Sequence, residues 1–199
     1  MPLTLRKLSN IAEDIVIKLT DVTHGNLNNR DKANILGELI QHKGFVTKLK
    51  DNETKTVTKV FRNINEIDVE YNDNMNVAKT LNRLGYNVFM LPKLLNSKSP
   101  DFILKKGNNI YLYELKTIYG KNSLNHRLEK ASLQSDRIIL NIVGNVDSRY
   151  VADTIKDFYL QNRHIKAIKV LLGGKPIDVR YGHVQNRKFV DLFMRWWAR

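Results

Sequence analysis

The sequence predicts an α/β fold in which a mixed central sheet is flanked by helices and preceded by a helical amino-terminal segment. Three observations predict it. Helical and strand periodicities alternate from residue 70 onward in the order helix, three strands, helix, strand, helix, strand. The first 40 residues show helical spacing alone. The 199 residues, 42% of them hydrophobic, suffice to bury one substantial core or a core plus a small satellite.

Leu5, Leu8, Ile11, Ile15, Leu19 and Val22 recur every three or four positions and mark one buried helical stripe. A second amphipathic helix follows Asp31, with Ile35, Leu36, Leu39 and Ile40 on its face. The turn residues between them, His24 to Asn29, make the pair a helical hairpin. Residues 45–61 mix Thr, Val and Lys around Asp51-Asn52, which suits either a short hairpin or an irregular connector.

A helix over 70–84 follows, with Val77, Ala78, Leu81 and Leu84 on one face and Gly85 at its end. Strands are expected over 86–91, 101–104 and 110–115, the last two joined by the turn Lys105 to Asn109 as an antiparallel hairpin. Helices over 124–133 and 148–162 then alternate with strands over 137–143 and 165–172. Gly173-Gly174-Lys175 turns the chain into a last strand over 177–181; it lacks the spacing of a nucleotide-cradling loop. Phe189, Leu192, Phe193, Trp196 and Trp197 recur at helical spacing and predict a packing helix. These elements divide the chain into a helical segment (1–65), a main domain (66–185) and a carboxy-terminal helix (186–199).

With no cysteine, thiolate catalysis, disulfides and cysteine metal sites are excluded, and any metal must sit on carboxylates, amides or histidines. The five histidines show neither HxxxH nor HxH spacing, which argues against a zinc hydrolase. No apolar run reaches the roughly 20 residues of a membrane span, and residues 1–10 lack the apolar stretch of a secretory signal, so a soluble chain is expected. Lys and Arg number 33 against 20 Asp and Glu, a net charge of +13 that favours a polyanionic partner such as nucleic acid. Residues 1–68 carry 11 basic and 9 acidic side chains, residues 69–199 carry 22 and 11, so the footprint lies in the later part.

The sharpest chemical feature is Ser99-Pro100-Asp101 followed on the next strand by Glu114-Leu115-Lys116. Alternation along a strand points Glu114 and Lys116 one way and sends Leu115 into the core. Asp101 at the start of the partner strand reaches the same point, bringing together two carboxylates and an ammonium. Two carboxylates, with the Leu115 carbonyl, suit a hard divalent cation such as Mg2+, with Mn2+ able to substitute. Lys116 can orient a water or offset charge on phosphorus, which suits phosphodiester hydrolysis. An isolated Glu-x-Lys is ordinary surface decoration; the Pro-Asp before it and the helix before that carry the weight.

Pro100-Asp101, Glu114 and Lys116 resemble the motif of the PD-(D/E)xK nuclease superfamily, and the element order resembles its restriction-endonuclease-like core. More narrowly, Gly85-Tyr86-Asn87-Val88, Leu91-Pro92, Pro100-Asp101, Glu114-Leu115-Lys116 and Gln134 resemble, in order, the transfer-RNA nuclease toxin domains of contact-dependent growth inhibition proteins. That resemblance covers a little over half the chain and excludes residues 1–65. It implies that residues 66–185 form the nuclease domain, that tRNA is favoured over DNA, and that a cognate immunity protein exists. It also implies action in the cytoplasm after delivery as part of a larger exported protein.

One departure stands out: where that family carries a helix glutamate that assists the metal site, this chain has Asn74. Glu70, one turn earlier on the same face, Asp73, or the amide of Asn74 itself are the alternatives. Gln134 matches a polar position that faces the active site in the superfamily, with an exposed helical glutamine as the other reading. Lys121, Asn125, His126, Arg127 and Lys130 follow the Glu114 strand and are expected to grip phosphates, against the alternative of a merely solvated face. A DNA endonuclease of a mobile element or restriction system, and an inactive nucleic-acid-binding module, are the competing functions.

Overall fold

A computed structural model of the chain describes residues 15, 17–23, 25, 27–62, 69–92, 99–173 and 175–199. Leu5, Leu8, Ile11, His24, Asn26 and Gly174 lie outside the described residues. The chain divides into two compact units, Met1–Tyr111 and Leu112–Arg199. Each is an α/β arrangement with mixed strand pairing.

In the first unit, residues 15 and 17–23 are helical (α1), and α2 spans Asn29–Leu39. The Asn28 carboxamide caps α2 by accepting from Asp31 N at 2.9 Å. Ile15, Leu19 and Val22 of α1, Leu36 and Leu39 of α2 and its C-cap Ile40 are buried, and Lys18 pairs with Glu38 at 3.2 Å. Residues 45–61 resolve as an antiparallel hairpin of β1 (Phe45–Lys50) and β2 (Val57–Phe61), with an irregularity between Thr47 and Leu49. β2 runs parallel to β3 (Asn87–Met90), which pairs antiparallel with β4 (Phe102–Lys106). Phe45 meets Phe61 and Phe89 edge-on, at 5.4 and 5.6 Å between ring centroids.

α3 (Val69–Arg83) buries Val77, Ala78 and Leu81. Gly85 ends it at φ +84°, a left-handed value that glycine adopts without a Cβ clash. Asn82, fully buried, ties this helix end to the hairpin. Its side chain accepts from the Thr58 hydroxyl at 2.7 Å and donates to Tyr86 O at 2.8 Å. Its carbonyl accepts from the Thr56 hydroxyl at 3.0 Å and lies 2.9 Å from the Thr54 hydroxyl.

In the second unit, β5 (Asn109–Ile118, entered from the first unit) runs parallel to β6 (Arg137–Ile142), and β6 runs parallel to β7 (Ala167–Leu172). β8 (Lys175–Val179) returns antiparallel to β7. Parallel neighbours need crossovers, and the sequence supplies them as α4 (Leu124–Ser132), entered through a 3-10 turn at Lys121–Ser123, and α5 (Ser148–Gln161). Leu124, Leu128 and Ala131 of α4 and Val151, Ala152, Ile155, Phe158 and Tyr159 of α5 form the apolar core with Ile138, Leu140, Ile168 and Val170. The last helix, α7 (Phe189–Trp197), buries Phe189 and Phe193 in that core.

Several boundaries differ from expectation, among them β5, which runs on to Ile118, and β7, which begins at Ala167. The last strand begins and ends two residues earlier than expected, and a single helical turn, α6 (Tyr181–Val184), stands where it was to end. Among the described residues no helix is long and apolar enough to cross a membrane.

Candidate active site

β5 places Glu114 in register with Ile138 and Lys116 in register with Leu140. Both partners belong to the apolar core, so Glu114 and Lys116 share the face that the helices cover. Leu115 is buried on the reverse face, as expected, and Glu114 is buried on its own face as well.

Glu114 is 1% exposed. Burying a carboxylate costs several kcal/mol unless an opposite charge and hydrogen bonds compensate it. The compensation comes from two residues along the strand: Lys116 Nζ donates to Glu114 Oε1. Lys116 keeps 18% of its side-chain exposure, so its ammonium sits where the dry carboxylate meets water. Such a boundary position suits a group that meets a polyanion from solvent.

Asp101 belongs to the first unit. It forms a bend before β4, half-buried, and its carbonyl accepts from Leu91 N at 2.9 Å. That bond joins two sequence landmarks, Leu91-Pro92 and Pro100-Asp101, while Ser99 and Pro100 are buried beside it. On α3, Glu70 is exposed in the first turn, where a negative charge favours the helix dipole whatever else it does. Asp73 and Asn74 are half-buried.

The basic stretch lies in the same unit as Glu114 and Lys116. Lys121 is in the 3-10 turn; Asn125, His126 and Lys130 are exposed on α4, and Arg127 is half-buried. Asn125 donates to Glu129 Oε1 at 2.9 Å, and the Tyr150 hydroxyl donates to Lys121 O at 3.1 Å, fixing the stretch to the start of α5. Gln134 falls past the end of α4 rather than on it, half-buried, with its N–H bonded to Ala131 O at 2.9 Å.

Among the described residues no group of three or more His, Cys, Asp or Glu side chains gathers into a metal-holding set. The side chains expected to hold a metal, Glu114 in the second unit and Asp101 in the first, carry oxygen donors only, the type that hard divalent cations take.

One buried charge escaped sequence reasoning. Lys169 is 2% exposed on β7 and donates to Asp178 Oδ1 on β8. Its signal was a lysine inside the apolar run Ala167 to Leu172. Its register partner is Ile139, which itself pairs with Leu115, so Lys169 lies on the face opposite Glu114.

No protein-family model and no curated protein matches the chain. Among solved structures it is similar to one described as the CdiA-CT/CdiI toxin and immunity complex from Burkholderia pseudomallei, at 17% identity and a TM-score of 0.42. The match covers 59% of this chain and 92% of that one.

Proposed function

We propose that this chain is a metal-dependent endonuclease of toxin type that hydrolyses phosphodiester bonds in RNA, with tRNA the favoured substrate. The observation that carries the reading is the buried Glu114 carboxylate held by Lys116 on one strand, within the Pro-Asp…Glu-Leu-Lys pattern. Asp101 joins the pair through that sequence pattern.

In this reading Glu114, Asp101 and the Leu115 carbonyl hold Mg2+, with Mn2+ able to replace it. The bound ion supplies Lewis-acid polarisation of the phosphate and a water of lowered pKa. Lys116 orients the attacking water and offsets the charge that builds on the phosphate oxygens. Water oxygen bonds to phosphorus, the P–O ester bond breaks, and the leaving oxygen takes a proton. Glu70, or Asp73 beside it, supplies a further carboxylate through water, and Gln134 a polar contact. Lys121, Asn125, His126, Arg127 and Lys130 hold flanking phosphates, which gives affinity and register without base selection. A cognate immunity protein is the protein partner this function implies, and the cytoplasm of a recipient cell its place of action.

The test is to express the chain with and without Asp101→Ala or Glu114→Ala and sequence the ends of every cellular RNA that breaks. Specific tRNA ends that vanish in both variants support the reading. Cleavage that persists in both, or purified protein that cuts duplex DNA and spares RNA, overturns it.

A further inference from the structure

We propose that a cavity of about 380 Å³ in the second unit binds one phosphorylated nucleoside, either free or as the terminal nucleotide of an RNA strand. The cavity lies among β8, α6 and α7, and the nuclease reading uses none of its residues. Its apolar lining includes Pro176, which is exposed, and Ile177, which is buried. One wall is aromatic: the rings of His183 and Trp196 meet edge-on, 5.7 Å apart at 62°. Trp196 is half-buried and packed against the core, and an indole is a ring on which a base can stack.

The charge at the rim selects the rest of the ligand. Lys175 and Arg199 line the cavity, and Lys175 Nζ donates to the main-chain oxygen of Arg199, which ties the two residues together. Asp178 also lines it, but the buried Lys169 ammonium offsets that carboxylate. A cationic rim over a flat aromatic wall matches a planar ring that carries a phosphate. The volume sits near the lower end of the roughly 300–1,000 Å³ of ligand pockets, enough for one nucleotide and too small for a duplex.

Equilibrium dialysis of the intact protein without metal, using labelled adenosine monophosphate, tests this independently of cleavage. Saturable binding is expected, with adenosine and inorganic phosphate each at least about tenfold weaker, a difference of about 1.4 kcal/mol. Trp196→Ala and Lys175→Glu should each weaken the nucleotide about tenfold, and Trp196→Phe should restore most of the loss. A 5′-phosphorylated trinucleotide that competes supports a strand end as the natural occupant; competition by free nucleotides alone supports the free ligand. No binding at millimolar nucleotide, phosphate binding as tightly as the nucleotide, or affinity unchanged in both Trp196→Ala and Lys175→Glu overturns the proposal.

Discussion

Lys116→Met should destabilise the protein severely, for a reason separate from catalysis. With Glu114 1% exposed, the variant strands a carboxylate on the apolar face of β5 without its counter-ion. Breaking a buried pair costs about 3–5 kcal/mol. Because Lys116 retains 18% exposure, water can reach the vacated space, and the lower figure, about 3 kcal/mol, applies. For a chain of this size that is a fall of about 6–12 °C in melting temperature. Replacing both residues, Glu114→Leu with Lys116→Met, removes the charges together and should return stability to within about 1 kcal/mol of the parent. Urea denaturation of the parent, both single variants and the double variant closes the cycle. A Lys116→Met cost below about 1 kcal/mol, or a double variant as unstable as the single, would refute the claim that the lysine is what allows Glu114 to be buried. RNA cleavage should be lost in all three variants, including the stable one.

Asp51 accepts from Thr54 N at 2.8 Å and from the Thr54 hydroxyl at 2.8 Å, which holds its carboxyl below the ordinary value of 3.8. The ionised form is therefore favoured in the folded chain, so its stabilisation is present above about pH 3.8 and lost as pH falls through the lower folded value. Asp51→Asn should lower the melting temperature at pH 6, and the gap from the parent should close below that range; a gap constant with pH contradicts the assignment. Asn82→Ala leaves the Thr58 hydroxyl and the Tyr86 carbonyl without their partner in a buried site, an expected loss of about 2–3 kcal/mol by urea midpoint. In the Asp101→Ala background, Lys121→Gln and Lys130→Gln should each reduce the slope of log affinity for tRNA against log salt by about 1, measured by filter binding. A slope unchanged in both would remove them from the phosphate contacts.

The parts of the fold that were legible are those whose pattern is local. Val151, Ile155, Phe158 and Tyr159 mark α5 because a helix repeats every 3.6 residues, and Glu114 and Lys116 share a face because a strand repeats every two. What alternation cannot say is which side of a strand the helices will cover. That depends on how α4 and α5 cross from one parallel strand to the next, and it set Glu114 on the face of their core while Leu115 is buried on the other. Residues 45–61 were hard to read because Lys and Thr stand where a strand usually shows apolar contrast, and the strand-forming contacts come from Phe89 and Asn82, far along the chain. Lys169 was invisible as a buried charge because its counter-ion, Asp178, is on another strand. α6 is one turn, too short for periodicity to register.

Thr54, Thr56 and Thr58 stand at every second position and converge on a single asparagine, like teeth on a pawl. If the stretch from Thr54 to Thr58 slid by one residue, all three hydroxyls would swing to the far side together, and Lys55 and Val57 between them would face inward. Greasy contrast alone would scarcely notice such a slip in so polar a ribbon. The pairing of this hairpin is thus counted off by hydroxyl groups, and its misalignment is punished all at once and not by degrees.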